Sequence, residues 1–253
     1  MIDAVREFWD NQARQFGTSD EATAPDHFYR EHEIRSILPF LRNGMTCLDV
    51  GCGNGYSTLR FARAFPASHF LGVDYSDEMI KAAQSANDAA NVDFECWDVR
   101  WPPLHDPFDM IISERCLINL VSWEEQEEAL LNLRDLLTPG GEIILVENTV
   151  DGLANLNLLR EKLGLHEIKQ RWHNCYLHLH KLIDFLDKHF KILDQRNIGN
   201  LYYLMSRVLY AKLSQMEGKE PMYDHPINEI AAQLPSLDGY NYSPNFLWHL
   251  KKI

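Results

Sequence analysis

Three glycines at alternate positions, Gly51, Gly53 and Gly55, follow the apolar run Cys47-Leu48-Asp49-Val50, and Gly72-Val73-Asp74-Tyr75-Ser76 carries a second apolar run to an acidic end. Residues of these types in this order can hold a nucleoside. Glycine lets a ligand lie against the backbone and lets the next helix pack close to the strand, and a carboxylate ending the second strand accepts both hydrogens of a ribose diol. A pyrophosphate site reads Gly-x-Gly-x-x-Gly and aims a helix N-terminus at the phosphates. Here Asp49 to Gly55 reads Asp-x-Gly-x-Gly-x-Gly, with no lysine beside it to hold phosphates. The glycine spacing separates this ligand from a dinucleotide.

Such residues need a sheet to carry them, and strand and helix signals alternate along the chain. Val5 to Phe16 reads as an amphipathic helix with Val5, Phe8 and Trp9 on one face, and Phe28 to Leu41 as a second with Ile34, Ile37, Leu38 and Leu41 at helical spacing. Strands are expected at Thr46 to Val50, His69 to Val73, Val92 to Cys96, Phe108 to Ser113 and Glu142 to Glu147. Between them lie a helix from Tyr56 to Phe65, another capped by Ser76 with Asp77 and Glu78 in its first turn, and a third opened by the capping box Ser122-Trp123-Glu124-Glu125. The third keeps Leu130, Leu133 and Leu137 inward and closes at Thr138-Pro139-Gly140-Gly141. Strands separated by helices imply a parallel sheet with right-handed crossovers, whose ligands bind beyond the strands' C-terminal ends.

Composition narrows the class. A chain of 253 residues with 45% hydrophobic content can bury a sizeable core, and its net charge of −13 argues against a nucleic-acid surface, which needs a clustered cationic face. The five cysteines are odd in number and form no Cys-x-x-Cys, and Cys47, Cys52 and Cys96 fall in or beside expected core strands. The opening Met1-Ile2-Asp3-Ala4-Val5-Arg6 lacks the apolar core of a signal peptide, and no stretch approaches a membrane-spanning length. A reduced, cytoplasmic, soluble protein is expected.

Taken in order, residues 45 to 148 resemble the class I S-adenosylmethionine-dependent methyltransferases, whose glycine loop wraps a methionine moiety. The resemblance implies S-adenosylmethionine as cofactor, with Gly51 and Gly53 at its amino-acid end, Asp49 supporting the loop or the cofactor amine, Asp74 on the ribose, and Tyr75 and Met79 beside it. Trp97-Asp98-Val99 stands where the family places an acid on the adenine amino group and an apolar neighbour against the ring. Asp109-Met110-Ile111-Ile112-Ser113 followed by Leu117-Ile118-Asn119-Leu120 resembles the family's fourth strand and next helix, and Leu137-Thr138-Pro139-Gly140-Gly141 its turn before strand five. Phe8-Trp9 and Gln12 to Phe16 resemble a mobile helix that closes over cofactor, which puts Trp9 at the site, and Arg30 beside Tyr29 is expected to reach the cofactor carboxylate. Glu114-Arg115 departs from the small residue relatives often carry. Either it is a solvated pair, or Glu114 faces the cofactor and Arg115 aims at an anionic group, which suits its planar fork.

The implied fold is α/β and Rossmann-like: a seven-stranded, mostly parallel sheet with helices on both faces. Residues 1–253 then form one methyltransferase domain, with cap helices in 1–44, the cofactor core in 45–150, a lid in 151–190 and a helical insertion in 197–245. Phe190 to Arg196 supplies strand six and Phe246 to Lys251 an antiparallel strand seven. The insertion, with helices at Leu201 to Leu213 and Pro226 to Leu234, is too apolar for a linker and is expected to cap the site, to join a homodimer, or both. Its Tyr202, Tyr203 and Tyr210 either pack or bind a polyhydroxylated substrate.

The lid holds Arg171-Trp172-His173-Asn174-Cys175-Tyr176. His173 is either a core histidine satisfied by a carbonyl or a base that takes a proton from a hydroxyl, since an ordinary imidazole titrates at about 6.5. His178 and His180 have no further ligand at metal spacing, and no metal site is expected. Methyl transfer from a sulfonium is an in-line displacement that needs alignment and exclusion of water. An alcohol acceptor profits from a base; a carboxylate or phosphate is already anionic and needs arginines. His173 serves the first, Arg115 with Arg171 the second, and Tyr176 lies beside both. The reading is an O-methyltransferase of a small polar molecule such as a sugar or polysaccharide precursor, on a likeness of Trp172-His173-Asn174 to bacterial polysaccharide-associated methyltransferases. The alternatives are an N-methyltransferase of a small amine and a non-catalytic S-adenosylmethionine-binding partner protein.

Overall fold

A computed structural model of the protein describes residues 2–237 and 239–253; Met1 of the opening segment and Asp238 of the insertion lie outside the described residues. Seven strands form one sheet in the order β3-β2-β1-β4-β5-β7-β6. They are β1 (Thr46–Val50), β2 (His69–Asp74), β3 (Val92–Cys96), β4 (Phe108–Glu114), β5 (Leu137–Asn148), β6 (Phe190–Asn197) and β7 (Asn245–Lys252). The first five run parallel, and β7 pairs antiparallel with both β5 and β6. Sequence order reverses at β1 and β4, so the crevice beyond their C-terminal ends is where a ligand is expected.

Central strands of such a sheet are covered on both faces, which is why they read as unbroken apolar runs. Met110, Ile111 and Ile112 of β4 and Ile143 to Val146 of β5 are fully buried. Two apolar clusters result, one on each face. Trp248 and Phe246 of β7, with ring centroids 5.5 Å apart, belong to one and Leu247 between them to the other. That alternation along one strand makes the sheet the partition of the core.

Helices α1 (Ile2–Phe16) and α2 (His27–Ile37) precede the sheet, and α3 (Tyr56–Ala64), α4 (Asp77–Ala86), α5 (Trp123–Asp135), α6 (Val150–Lys162) and α7 (Leu179–His189) cross over it. Ser76, Ser122 and Thr149 cap α4, α5 and α6, each hydroxyl accepting a first-turn backbone N–H. The insertion consists of α8 (Asn200–Tyr203), a π-helical stretch Leu204–Tyr210, α9 (Ala211–Met216) and α10 (Pro226–Gln233). No helix among the described residues is long and apolar enough to cross a membrane.

Several boundaries differ from the sequence reading. α5 stops at Asp135, so Leu137 belongs to β5, not to the helix. Thr138-Pro139-Gly140-Gly141 lies inside that strand as an irregularity, β4 pairing with Leu137 before it and with Glu142 after it. Leu117–Asn119 forms a single 3-10 turn in place of a helix, and α2 ends at Ile37, where Leu38–Phe40 continues as 3-10 because Pro39 cannot donate to an α-helical ladder. Cys96 ends an edge strand and is exposed, whereas Cys47 and Cys52 are buried.

The start of α6 is pressed on the chain entering β7. Thr149 N donates to Pro244 O at 2.7 Å, and a Cβ at Gly152 would fall 2.1 Å from Ser243 O and 2.9 Å from Pro244 Cα. Both neighbours are backbone and cannot yield by a rotamer change. Gly152→Ala is therefore expected to lower stability by at least about 1–3 kcal/mol, the usual cost of overpacking. Urea unfolding measures this, and an unchanged midpoint would rule out the contact.

Candidate active site

At the ends of β1, β2, β4 and β5 the structure encloses a cavity of about 270 Å³, and every residue expected at the cofactor or as a catalytic group, with Arg171, lines it, whereas Gly55 does not. Gly51 and Cys52 leave β1 by donating their N–H groups to Val73 O at 2.8 and 3.0 Å, which binds the glycine corner to β2. Asp74 fastens the same corner from the other side. Its Oδ2 accepts the Gly53 N–H at 3.0 Å and its Oδ1 the Ser76 N–H at 2.9 Å, and burial pushes its carboxyl up to about 6 against the pull of those donors. Gly53 has φ +56°, and a Cβ there would stand 2.7 Å from Thr23 Cγ2. The corner is thus covered by the segment between α1 and α2, whose Gly17 and Ser19 carbonyls accept from Asn54 Nδ2.

Asp49, buried at the end of β1, accepts the Thr58 hydroxyl at 2.6 Å and is pushed up to about 7 by burial. It ties the strand to α3. At the far end of the cavity lie Tyr75, Met79, Trp97, Asp98 and Val99. Met79 is buried in a cluster with Ala13 and Ala22, and Tyr75 Oη is buried without a hydrogen-bond partner among the described residues. Asp98 departs from the free acid that the resemblance implies. Its two oxygens are gripped by Arg100, Nε to Oδ1 at 2.9 Å and Nη2 to Oδ2 at 2.6 Å, which leaves only their outer lone pairs to a ligand.

The other end is a knot of charge. Arg115 stands just past β4 with φ +54°, the one non-glycine positive φ among the described residues, held there by its N–H on Val146 O and its carbonyl on Asn119 Nδ2. Its Nη2 is 3.1 Å from Glu33 Oε2 and 3.9 Å from Glu114 Oε1. The solvated pair considered for Glu114-Arg115 is therefore not what forms: their side chains are 7% and 26% exposed. Burial works against the Arg115 charge, but Glu33 and Glu114 hold the guanidinium above its ordinary range. Arg30 is buried, paired with Thr23 Oγ1 and lowered by its burial. Beneath them Glu147, fully buried and pushed up to about 8, accepts the N–H groups of Leu117 and Ile118 and so fixes the loop that carries Arg115.

The mouth is aromatic. His173 is stacked on Phe8 with centroids 4.2 Å apart, edge-on to Trp9 and Trp172, and its buried Nδ1 has no partner among the described residues. It is not the carbonyl-satisfied core histidine, and its titration is not the ordinary one either. Burial, with Arg171 beside it, pushes its imidazole down to about 4, so at neutral pH it is an uncharged and weak base. Trp9 Nε1 donates to Asn119 Oδ1 at 3.1 Å, stitching α1 to the loop after β4. Tyr176 faces Asn148 and Arg115 and is raised by burial.

Sequence reasoning missed Glu33, Arg100 and Glu147, and the way the insertion divides its tyrosines. Tyr203 lines the cavity, while Tyr202 donates to Asp26 at 2.7 Å and Tyr210 accepts the Met222 N–H. Glu33 had a readable signal, a carboxylate at i+3 from Arg30 and i−4 from Ile37 on a face that is otherwise buried. The unpartnered buried atoms in the cavity wall include donors, Arg30 Nε and Arg115 Nε, and an acceptor, Glu114 Oε1. Such a wall asks for a ligand with both signs of charge, and the zwitterionic amino-acid end of S-adenosylmethionine is one.

A description of the methyltransferase domain matches residues 47–141. The malonyl-[acyl-carrier protein] O-methyltransferase of Bacillus cereus is 28% identical over 81% of this chain and 69% of its own length; other curated relatives are spanned over 23% to 49% of theirs. Magnesium protoporphyrin IX methyltransferase of Synechocystis PCC 6803, with S-adenosylhomocysteine bound, superposes with TM-score 0.63 at 16% identity over 99% of both chains. The N-methyltransferase NodS of Bradyrhizobium japonicum WM9, in complex with the same molecule, gives 0.61 at 14% over 97% and 98%. At such identities the two structures speak for the fold alone. Domain match, sheet order and glycine corner agree: residues 47–141 match the methyltransferase domain, and the fold resembles that of the class I S-adenosylmethionine-dependent methyltransferases.

Proposed function

We propose that the protein transfers a methyl group from S-adenosylmethionine to an oxygen of a small polar molecule, and that this oxygen is a carboxylate's. The cofactor supplies an electrophilic methyl on a sulfonium. Asp74 would take the ribose diol, Gly51 and Gly53 the amino-acid end, Arg30 its carboxylate, and Glu114 or Asp49 its ammonium. Tyr75, Met79, Trp97, Val99 and the outer lone pairs of Asp98 would frame the adenine, with Trp9 closing over it.

The observation that carries the acceptor reading is the state of His173. An alcohol needs its proton removed as the bond forms, but an imidazole pushed down to about 4 has little affinity for that proton. Glu33, a stronger base, is 0% exposed behind Arg115 and cannot touch the acceptor. A carboxylate requires no base, and Arg115 and Arg171 both line the cavity, Arg171 beside His173 and both arginines near Tyr176. This replaces His173 as a base by His173 as an uncharged wall, and favours a carboxylate over the sugar hydroxyl. The O-methyltransferase relative named above accords with it.

Calorimetry and a labelled-methyl screen test the reading. Asp74→Ala is expected to weaken S-adenosylmethionine binding by about 10-fold or more, as loss of a charged hydrogen-bond partner does. His173→Ala should leave cofactor binding intact and lower turnover through lost packing, with no change in the pH profile between 5 and 8, a window above the imidazole's midpoint of about 4. Methylation of hydroxyl compounds with carboxylic acids inert would overturn the carboxylate assignment.

A further inference from the structure

The cavity wall holds a charged pair, Arg115 with Glu33, that has no role toward the cofactor. Arg115 presents its side chain at 26% exposure, while Glu33, 3.1 Å behind it, is sealed from solvent. Glu33 Oε1 accepts Asn245 Nδ2 at 3.1 Å, and Asn245 Nδ2 also reaches Asn148 Oδ1, so α2 is clamped to the ends of β5 and β7. Tyr176 of the lid and Tyr203 of the insertion line the same cavity near enough to couple to the charge of Arg115, whose Nε is buried without a partner among the described residues. The positive φ at Arg115 has a cost that its two backbone hydrogen bonds sustain, and strain of this kind gathers where a side chain must be aimed.

We infer that Glu33 is a positioning residue for acceptor charge: the Arg115 guanidinium, with the Tyr176 and Tyr203 hydroxyls, receives a carboxylate, and the proton on Glu33 decides whether the Arg115 charge is free to do so. This rests on the carboxylate reading above. With Glu33 ionised, the pair is neutral and an incoming anion meets a second carboxylate behind the arginine. With Glu33 protonated, Arg115 loses the nearer of its two counter-charges and keeps only Glu114, 3.9 Å away, so the anion meets one carboxylate fewer. The groups facing Glu33 set the balance: Arg115 and Arg30 favour its charge, Glu114 and Asp26 oppose it, and Tyr29, Tyr203 and neutral Asn245 complete its surroundings. Burial outweighs Arg115 and lifts the Glu33 carboxyl to about 8. Glu33 therefore holds its proton below that value, and the anion subsite fails as pH rises through it.

Carboxyl-carbon NMR of the protein labelled at glutamate, with Glu33→Gln and Glu33→Asp each assigning the resonance, tests this with acetate as the probe. The Glu33 signal is expected to titrate near 8, to move upward in saturating acetate, and to lose that response in Arg115→Gln. A midpoint in the ordinary carboxylate range, no acetate response, or a response that survives Arg115→Gln overturns the inference. With a methylated carboxylate in hand, its KM should rise about tenfold per pH unit above the midpoint while kcat stays level, as the competent fraction falls. Glu33→Gln, fixed neutral, should keep KM flat, and a sloping KM there also overturns it. Acetate binding needs no methyl transfer, so the two readings fail separately. A protein that binds acetate in this way but methylates only hydroxyls refutes the carboxylate reading alone, and one that methylates carboxylates without the Glu33 response refutes the subsite alone.

Discussion

Asp74 accepts backbone N–H groups on both sides of the chain, from Gly53 before it and Ser76 after it. Those two bonds set the glycine corner and the start of α4 at a fixed distance, and Ser76 then caps α4 through the Met79 N–H. A buried carboxylate that satisfies main-chain donors is costly to remove, because the donors are left unpaired in a dry place. The position of Met79, the spread of the corner and the segment lying over Gly53 all follow from it. Glu147 does the same work at the end of β5, where it holds the turn after β4 and so the direction of Arg115.

These two acids divide the cavity between them. One end presents Asp74 and apolar surfaces, suited to a nucleoside; the other presents opposed charges packed closer than water allows. Desolvation dominates at both ends, raising the Asp49, Asp74, Glu33 and Glu147 carboxyls together. Such grouping of shifted carboxyls is a property of sites rather than of surfaces.

Much of this could be read from the residues. β1 and β3 run over the expected residues because a buried parallel strand is an apolar run bounded by turn residues, and Ser76 and Ser122 cap the expected helices. The turn in β5 was harder to place: Pro139 and two glycines signal a break, and only pairing with Phe108 on one side and Met110 on the other shows that the strand resumes. Glu33 sits on a face also occupied by Ile37, where the pattern shows burial but not the arginine that arrives from β4. Neighbouring Tyr202 and Tyr203 cannot be told apart by type, and the π-helical turns after them alter which side each face presents. Asp98 looked free because nothing in a sequence shows that Arg100, two residues on, folds back on it.

Helix α1 carries Phe8 onto His173 and Trp9 onto Asn119, while Arg6 reaches Asp77 at 2.8 Å and Asp10 meets the Ser76 hydroxyl. One rigid rod therefore spans both compartments. A displacement of it that uncovers Met79 also withdraws the ring from His173, so access to the two ends of the cavity is mechanically coupled through one helix.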